Sequence, residues 1–266
     1  RNLTVTSRAL ILENCQGERV VGASLSDSRI ELSGTGCSIE DVVGTRTPIS
    51  VRGADHVLQN IELAGFGGRA GIAASDASNV LIGGCGPDEP NRVSGFRTGI
   101  AVSGPSASVQ VLCNEVSDSG SIGILATTTA EGGLTTGATI SRNRVSGGSI
   151  GIEITGTSAT VSSNVVNSDS EHGILVQPLL GSDRTYDHPE DDVDGAPSIS
   201  ANSIQGSRVG ISIQNARVGN LEGLGTDNSI TGFSERAWET LWSVARRVID
   251  ADGALVFEES LVEAED

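Results

Sequence analysis

Apolar residues alternate with small or polar residues in short runs that return along most of the chain. Strict alternation over a few residues is typical of β-strands, because successive side chains of a strand point to opposite faces. One such run is Ile150-Gly151-Ile152-Glu153-Ile154, and Gly-Ile pairs recur with their glycines at positions 71, 99, 123, 151, 173 and 210. The intervals of 28, 24, 28, 22 and 37 residues therefore predict one strand of the same kind in each repeat.

An asparagine followed two residues later by valine or isoleucine precedes each of the last five Gly-Ile pairs by 8 or 9 residues. A further triplet of this kind, at Asn228, has no Gly-Ile after it. Constant spacing inside a longer period indicates stacked coils, in which like positions lie about 4.8 Å apart. Asparagines at such a corner can hydrogen-bond to one another and form a left-handed turn. The five asparagines are Asn91, Asn114, Asn143, Asn164 and Asn202.

From about residue 60 to 232, these turns, strands and coil-length intervals resemble the right-handed parallel β-helix superfamily. The resemblance implies an all-β chain, a single-stranded right-handed parallel β-helix (a solenoid) of roughly 8–10 coils. The predicted β-helix covers residues 1–232, with irregular coils over 1–59 and regular coils over 60–232. Members include pectate lyases, polygalacturonases, alginate epimerases, phage tailspikes and adhesins, so the fold leaves the function open.

Residues 233–266 differ from the repeats and predict a C-terminal capping helix, a strand and an acidic tail. Ser234 can cap a helix over 234–249. Since an open end of a β-helix exposes core and strand edges, a helical lid is expected there, and a partner-binding helix is the alternative. The apolar stripe of this helix consists of Ala237, Trp238, Leu241, Trp242, Ala245, Val248 and Ile249.

The alternation also predicts which side chains face outward, if the isoleucine after each glycine faces the core. The residue before the glycine, such as His172, is then assigned inward, and the glycines form a bare outer column. The outer positions two residues before glycine are Arg69, Arg97, Ser121, Ser149, Glu171 and Arg208. The outer positions two residues after glycine are Ala73, Ala101, Leu125, Glu153, Leu175 and Ser212.

Three of these outer residues are candidate substrate-binding groups, and two residues nearby are candidate catalytic groups. Arg69 and Arg97 can hold a uronate carboxylate on neighbouring coils, because the guanidinium fork matches that group; two solvated arginines are the alternative. Glu153 is the third. Glu171 and His172 are the catalytic candidates, although Glu171 would lie about 13 Å along the strand direction from Glu153. For His172 the inward assignment favours a structural role, and catalysis is the alternative.

The long interval after Gly173 predicts an insertion over residues 177–197 that projects from the coils, and such loops often carry function. Its only tyrosine, Tyr186, is followed by Asp187 and His188, which we take as further catalytic candidates. A solvated acidic loop without a ligand is the alternative. Oxygen ligands for Ca²⁺, the one cofactor that the pattern suggests, are offered by Asp191, Asp192 and Asp194.

The four cysteines fall into two pairs one coil apart. Cys85 and Cys113 each lie 14 residues after the glycine of a Gly-Ile pair, and Cys15 and Cys37 are 22 residues apart. Stacked positions bring Cα atoms within disulfide range. Two disulfides are therefore the candidate pairing, with a ladder of buried free thiols as the alternative.

Charge and composition exclude several classes of partner. A formal net charge of −17 disfavours nucleic acid and anionic lipid, both of which need a basic face. No apolar run approaches the ~18 residues of a membrane span. The pattern fits a secreted, periplasmic or cell-surface protein, and the sequence leaves its oligomeric state open.

These observations predict a β-helix scaffold that presents a sheet face and the 177–197 loop to a glycan or a protein partner. Aromatic residues, which often stack on bound sugars, make up only 3% of the chain. The alternative is a polysaccharide lyase, glycoside hydrolase or uronate epimerase with its site near that loop.

Overall fold

The protein is described from a computed structural model, which covers residues 3–6, 9–128, 137–167, 171–177, 196–214, 224–249 and 255–263. Its strands form two sheets, and α1 (Leu224–Asp227) is the one helix of the described residues. Sheet 1 comprises β1 (Leu3–Thr6), β3 (Arg19–Val21), β4 (Ala23–Ser26), β6 (Ser38–Thr45), β8 (Val57–Ala64), β10 (Leu81–Gly83), β11 (Arg92–Ser94), β13 (Gln110–Leu112), β14 (Glu115–Ser117), β16 (Ala138–Ser141), β17 (Arg144–Ser146), β19 (Ala159–Ser162), β20 (Val165–Asn167), β22 (Ser198–Ser200), β23 (Ser203–Gln205) and β25 (Ser229–Thr231). Sheet 2 comprises β2 (Ala9–Gln16), β5 (Arg29–Thr35), β7 (Ile49–Ala54), β9 (Ala70–Ser78), β12 (Thr98–Ser103), β15 (Ile122–Thr127), β18 (Ile150–Thr155), β21 (His172–Gln177), β24 (Val209–Gln214), β26 (Arg236–Ile249) and β27 (Leu255–Glu263).

The chain winds as a parallel β-helix, as the repeat predicts. From β9 to β23, each coil gives one strand to sheet 2 and then two short strands to sheet 1, one in each of two rows that the long strand β8 joins, and the coil of β24 gives sheet 1 only β25. Each strand pair is parallel except β26–β27. The sheet-2 order β2-β5-β7-β9-β12-β15-β18-β21-β24-β26-β27 follows the chain, and its first ten strands correspond to about ten coils.

The register of sheet 2 confirms the alignment of the repeats on Gly-Ile. The isoleucines after the glycines pair from coil to coil, as in Ile124 with Ile152 and Ile152 with Ile174. These side chains are fully buried and form part of a continuous apolar core. The column two residues after glycine also pairs in order: Ala73, Ala101, Leu125, Glu153, Leu175 and Ser212.

The asparagines form a hydrogen-bonded ladder inside the corner of the coils. Asn143 Nδ2 donates to Asn164 Oδ1 at 3.0 Å and to the Val111 carbonyl oxygen at 2.8 Å, and the same pattern repeats along the stack. In four of the turns the residue before the asparagine is left-handed, namely Cys113, Arg142, Ser163 and Ala201, with φ between 56° and 58°. The members of the ladder are buried: Asn91, Asn114, Asn143, Asn164, Asn202 and Asn228.

The glycines of the Gly-Ile pairs face the core, so the prediction that they form a bare outer column is wrong. A Cβ on Gly151 would collide with Cγ1 of Val166, a core residue of sheet 1, and with the carbonyl oxygen of Gly173. Ile152, the next residue, is also fully buried. The strand therefore turns two consecutive residues inward here, and the alternation shifts by one at the glycine.

This shift moves the column of His172 to the outer face, which corrects its inward assignment. His172 is in register with Ile150 and Val209. Val209 is 1% exposed but does not belong to the apolar core cluster. Its burial therefore arises on the outer side of sheet 2, and the in-register His172 lies on the same side.

The predicted capping helix over 234–249 is wrong, because Arg236–Ile249 forms the strand β26. Its first half continues sheet 2 by parallel pairing with β24, from Val209 with Arg236 to Gln214 with Leu241. Its second half pairs antiparallel with β27. A helix would leave the backbone N–H and C=O groups along the edge of β24 without partners, whereas a strand satisfies them. The predicted strand in the C-terminal segment corresponds to β27.

Both cysteine pairs are joined as disulfides. The Cα atoms of Cys15 and Cys37 lie 6.3 Å apart, and those of Cys85 and Cys113 lie 5.2 Å apart. Each bond links adjacent coils, as the one-coil spacing of the pairs requires. The alternative ladder of free thiols is absent from this structure.

Candidate functional site

The burial of side chains on the outer face of sheet 2 increases along the stack of coils. Ala73, Ala101 and Leu125, on β9, β12 and β15, are half-buried. On the next three strands, five outer positions are almost fully buried, although they point away from the core. We call these residues the outer patch, defined as Glu153, His172, Leu175, Val209 and Ser212.

Glu153 is the charged group of the outer patch that stands out, because its side chain is nearly buried and only 8% exposed. Its Oε1 atom accepts a hydrogen bond from Thr155 Oγ1 at 2.8 Å and another from Gln177 Nε2 at 2.9 Å. Both donors are neutral. Among the described residues no cation pairs with this carboxylate, and no hydrogen bond reaches Oε2.

The arrangement fixes the direction of the carboxylate and leaves half of its hydrogen-bonding capacity unused. Thr155 follows Glu153 by two residues on β18, so both side chains project from the same face. Gln177 is in register with Thr155 on β21 and reaches across one coil. Burying a carboxylate costs free energy unless hydrogen bonds or a cation offset that cost, and here only Oε1 has partners among the described residues. Oε2 can accept hydrogen bonds from a ligand.

Glu171 lies at the other end of the strand and belongs to an exposed ion-pair network. Arg208 Nη2 contacts Glu171 Oε1 at 3.0 Å, and Arg208 Nη1 contacts Glu235 Oε2 at 2.7 Å. The hydrogen bond from Arg208 to Glu235 raises the pKa of this guanidinium above its ordinary value, and both carboxylates add to the effect. Because Glu153 pairs with Leu175, Glu171 lies four residues, or about 13 Å, away along the strand direction.

His172 and the two candidate arginines lie at different distances from Glu153. His172 pairs with Ile150, three residues before Glu153, which is about 10 Å by strand rise. The structure therefore brings His172 and Glu153 to one face. Arg69 and Arg97 are exposed and precede β9 and β12, which are three coils and two coils before β18. The three predicted substrate-binding residues do not converge on one point.

The remaining candidates of the insertion lie outside the described residues. This applies to the catalytic candidates and to the calcium ligands alike, namely Tyr186, Asp187, His188, Asp191, Asp192 and Asp194.

A second buried polar cluster, near the amino-terminal end, has a structural explanation. The possible ligand atoms of Cys15, Cys37 and His56 lie within 4.8 Å of one another. The two sulfur atoms form a disulfide, so they offer no thiolate to a metal. Nδ1 of His56 accepts the Cys37 backbone N–H at 3.2 Å, and its Nε2 donates to the Arg52 carbonyl oxygen at 2.9 Å. His56 thus joins the backbones of adjacent coils.

Comparison with known proteins identifies the architecture. A family model described as a right-handed beta helix region matches residues 21–177, which is more than half of the chain. The chain belongs to the right-handed β-helix family. No curated protein matches the sequence at a significant level.

Comparison with solved structures finds similar chains at low sequence identity. The Dettilon tailspike protein superposes with a TM-score of 0.53 at 12% identity, over 89% of this chain and 61% of that one. The periplasmic alginate epimerase AlgG has a TM-score of 0.48 at 15% identity, over 83% of this chain and 49% of its own. The A-module of the mannuronan C-5 epimerase AlgE4 from Azotobacter vinelandii has a TM-score of 0.41 at 12% identity, over 90% of this chain and 88% of that one.

This right-handed β-helix thus spans 61% and 49% of the first two of these structures. In the part of the chain that is described, no helix has the length and apolar character to cross a membrane.

Two members of the site were missed from sequence alone. Thr155 and Gln177 occupy the position four residues after the glycine, in the repeats aligned on Gly151 and Gly173. The same alignment that selected Glu153 therefore contained the signal. A polar column beside an outward carboxylate is the pattern to search for in such repeats.

Proposed function

We propose that this right-handed β-helix is a non-catalytic glycan-binding module, and that the outer patch around Glu153 contacts the glycan. The observation that carries the proposal is the Glu153 carboxylate, nearly buried, held by two neutral donors and unpaired with any described cation. Sugars present many hydroxyl donors, which a carboxylate oxygen such as Oε2 accepts.

The surroundings of Glu153 support a ligand that lies across several coils. Leu125 and Ala101, which are both half-buried, continue its column onto β15 and β12, and the half-buried Gln177 presents an amide beside it. Ligand sites typically combine a few precisely positioned polar groups with a surface that is otherwise apolar. A rigid stack of coils also holds such groups in place before the ligand arrives, which reduces the entropic cost of binding.

The compartment that we propose is extracellular, periplasmic or at the cell surface. Two disulfides support it, because disulfides persist mainly in oxidising compartments. The epimerase AlgG, which shares the fold, is described as periplasmic.

The test is a comparison of glycan binding by the wild-type protein and the Glu153→Gln variant. Glutamine keeps an oxygen for Thr155 and Gln177 but replaces the Oε2 acceptor with a donor. Loss of a hydrogen bond to a charged group costs about 1.5–3 kcal/mol, so we expect affinity to fall about 10- to 100-fold. Glu62→Gln removes the same charge from an exposed position of sheet 1 and should leave affinity unchanged. Equal affinities for Glu153→Gln and wild type would contradict the proposal.

A second candidate function is a polysaccharide lyase, hydrolase or epimerase. One observation favours it: His172, a residue type suited to proton transfer, shares the outer patch with Glu153. Incubation with neutral and acidic polysaccharides, followed by assays for new reducing ends and for unsaturated products, tests this candidate. Turnover that is lost in His172→Ala would favour the enzyme, and absence of turnover on substrates that bind would favour the module.

Calcium binding by Asp191, Asp192 and Asp194 is a separate proposal, supported by the acidic sequence alone. Titration calorimetry with Ca²⁺ on the wild-type chain and on an Asp191→Ala/Asp194→Ala variant tests it. Heat in the wild type that disappears in the variant is the expected result, and no heat above buffer dilution in the wild type would remove calcium from the account.

A further inference from the structure

We infer that the outer patch selects a glycan with free amino groups, such as a polyglucosamine, over neutral and uronate glycans. This inference rests on the proposed glycan-binding function and names the ligand class of the same site. It differs from what the alginate epimerases with this fold suggest, because alginate is built from uronates. The argument comes from the charges around Glu153.

The first step concerns the charge of Glu153 itself. Its two donors, the Thr155 hydroxyl and the Gln177 amide, are both neutral, and both bind the same oxygen. They orient the carboxylate but do not neutralise it. A cationic donor that approaches Oε2 would form a charge-assisted hydrogen bond, which is about twice as strong as a neutral one.

The second step concerns the groups around it. On the three coils before Glu153 and the two coils after it, the positions in register with Glu153 are apolar or hydroxyl-bearing, namely Ala73, Ala101, Leu125, Leu175 and Ser212. At the amino end of these strands, Arg208 contacts Glu171 and Glu235, and Arg236 is in register with Val209, three residues or about 10 Å along the strand direction from the column of Glu153. A uronate carboxylate placed beside Glu153 would therefore meet a like charge, and no arginine is in register with Glu153 on the described coils.

The third step concerns the field of the whole chain. Its formal net charge is −17. A surface potential of one sign attracts ligands of the opposite sign and repels those of the same sign. Both the local carboxylate and the overall field thus favour a cationic glycan.

The experiment compares three oligosaccharides of equal length by titration calorimetry at about 0.15 M salt, where long-range charge effects are partly screened. The probes are a glucosamine oligomer with free amines, the N-acetylated form of the same oligomer, and a galacturonate oligomer. The pH is kept mildly acidic, so that the amines are protonated. We expect the free-amine oligomer to bind at least about tenfold more tightly than the N-acetylated one, equivalent to about 1.4 kcal/mol.

Two variants identify the source of this preference. Glu153→Gln should reduce the ratio between free-amine and N-acetylated oligomers to about one, while Glu62→Gln should preserve it. Circular dichroism confirms that each variant is folded. An unchanged ratio in Glu153→Gln, or an equal fall in both variants, would overturn the assignment of selectivity to this carboxylate.

The outcomes separate this inference from the function on which it rests. If the galacturonate or N-acetylated oligomer binds best and Glu153→Gln weakens that binding, the site is a glycan site and the charge inference is wrong. If none of the three oligomers binds, the proposed glycan-binding function fails together with the inference.

Discussion

Replacement of Asn143 by alanine removes four side-chain hydrogen bonds from the interior of the asparagine ladder. Asn143 Nδ2 donates to Val111 O at 2.8 Å and to Asn164 Oδ1 at 3.0 Å. Its Oδ1 accepts from the backbone N–H of Asn114 at 2.8 Å and from Asn114 Nδ2 at 2.9 Å. Each net contribution is about 0.5–1.5 kcal/mol, so we expect the free energy of unfolding to fall by about 4 kcal/mol.

Urea unfolding followed by circular dichroism measures this loss. Since whole domains are stable by only about 5–15 kcal/mol, the effect is large and readily detected. Gln110→Ala, at an exposed strand position, is the matched control and should change stability by less than about 0.5 kcal/mol. Asn91→Ala removes three such hydrogen bonds, so its loss of unfolding free energy should lie between those of Gln110→Ala and Asn143→Ala. A loss for Asn143→Ala no larger than that for Gln110→Ala would refute the reasoning that the ladder stabilises the stack.

Three further predictions concern the core, the disulfides and one ion pair. Gly151→Ala should lower the free energy of unfolding, measured in urea, by about 1–3 kcal/mol, because the added Cβ enters occupied core space. Gly120→Ala, whose added Cβ would have its nearest atom at 3.6 Å, should change stability little. Equal effects of the two substitutions would refute the inward orientation of the glycine column. Thiol titration in denaturant should find no free thiol without reductant and four free thiols with it. Reduction should lower the free energy of unfolding by about 3.5 kcal/mol for each bond in a chain-entropy estimate, since the loops span 22 and 28 residues. Four thiols without reductant would contradict both bonds. The hydrogen bond from Arg46 holds the pKa of Asp27 below its ordinary value. This pair should therefore stabilise the fold at pH values above the ordinary pKa of aspartate and lose its effect as the pH falls through the lowered pKa. NMR titration should show the lowered pKa of Asp27 in the wild type and its return to the ordinary value in Arg46→Gln, and an unchanged midpoint in that variant would contradict the pairing.

The stacking of the coils is predictable from sequence because it depends on repeated local chemistry. Asparagine at a fixed corner and isoleucine after glycine recur at nearly constant spacing, and both place like residues in register. Alternation alone did not predict that the glycines of the Gly-Ile pairs face the core. A Cβ at Gly151 has no room beside Val166, and the strand bends there so that two consecutive residues face inward.

The C-terminal strand shows a second limit of pattern reasoning. Residues 234–249 have the apolar spacing of an amphipathic helix, with Trp238 and Leu241 on one stripe. In the structure, Trp238 pairs with Ile211 and Leu241 pairs with Gln214 across the edge of sheet 2. The open edge of β24 supplies backbone partners that an isolated segment lacks, and tertiary pairing overrides the local helical pattern.

The candidate site is partly predictable for the same reasons. The alignment selects Glu153 as an outward group, and the register confirms its place between Leu125 and Leu175. Its burial and its two donors were not predicted, because they depend on Gln177 one coil later and on how the outer face of that coil is covered. These are properties of the assembled stack and not of any single repeat.

The most direct test of the central claim is a crystal structure of the chain with a bound glucosamine oligomer. The account predicts a sugar on the outer face of sheet 2, with an amino or hydroxyl group within hydrogen-bonding distance, about 3 Å, of Glu153 Oε2. An oligomer bound to sheet 1, or to sheet 2 with Glu153 untouched, would contradict the account.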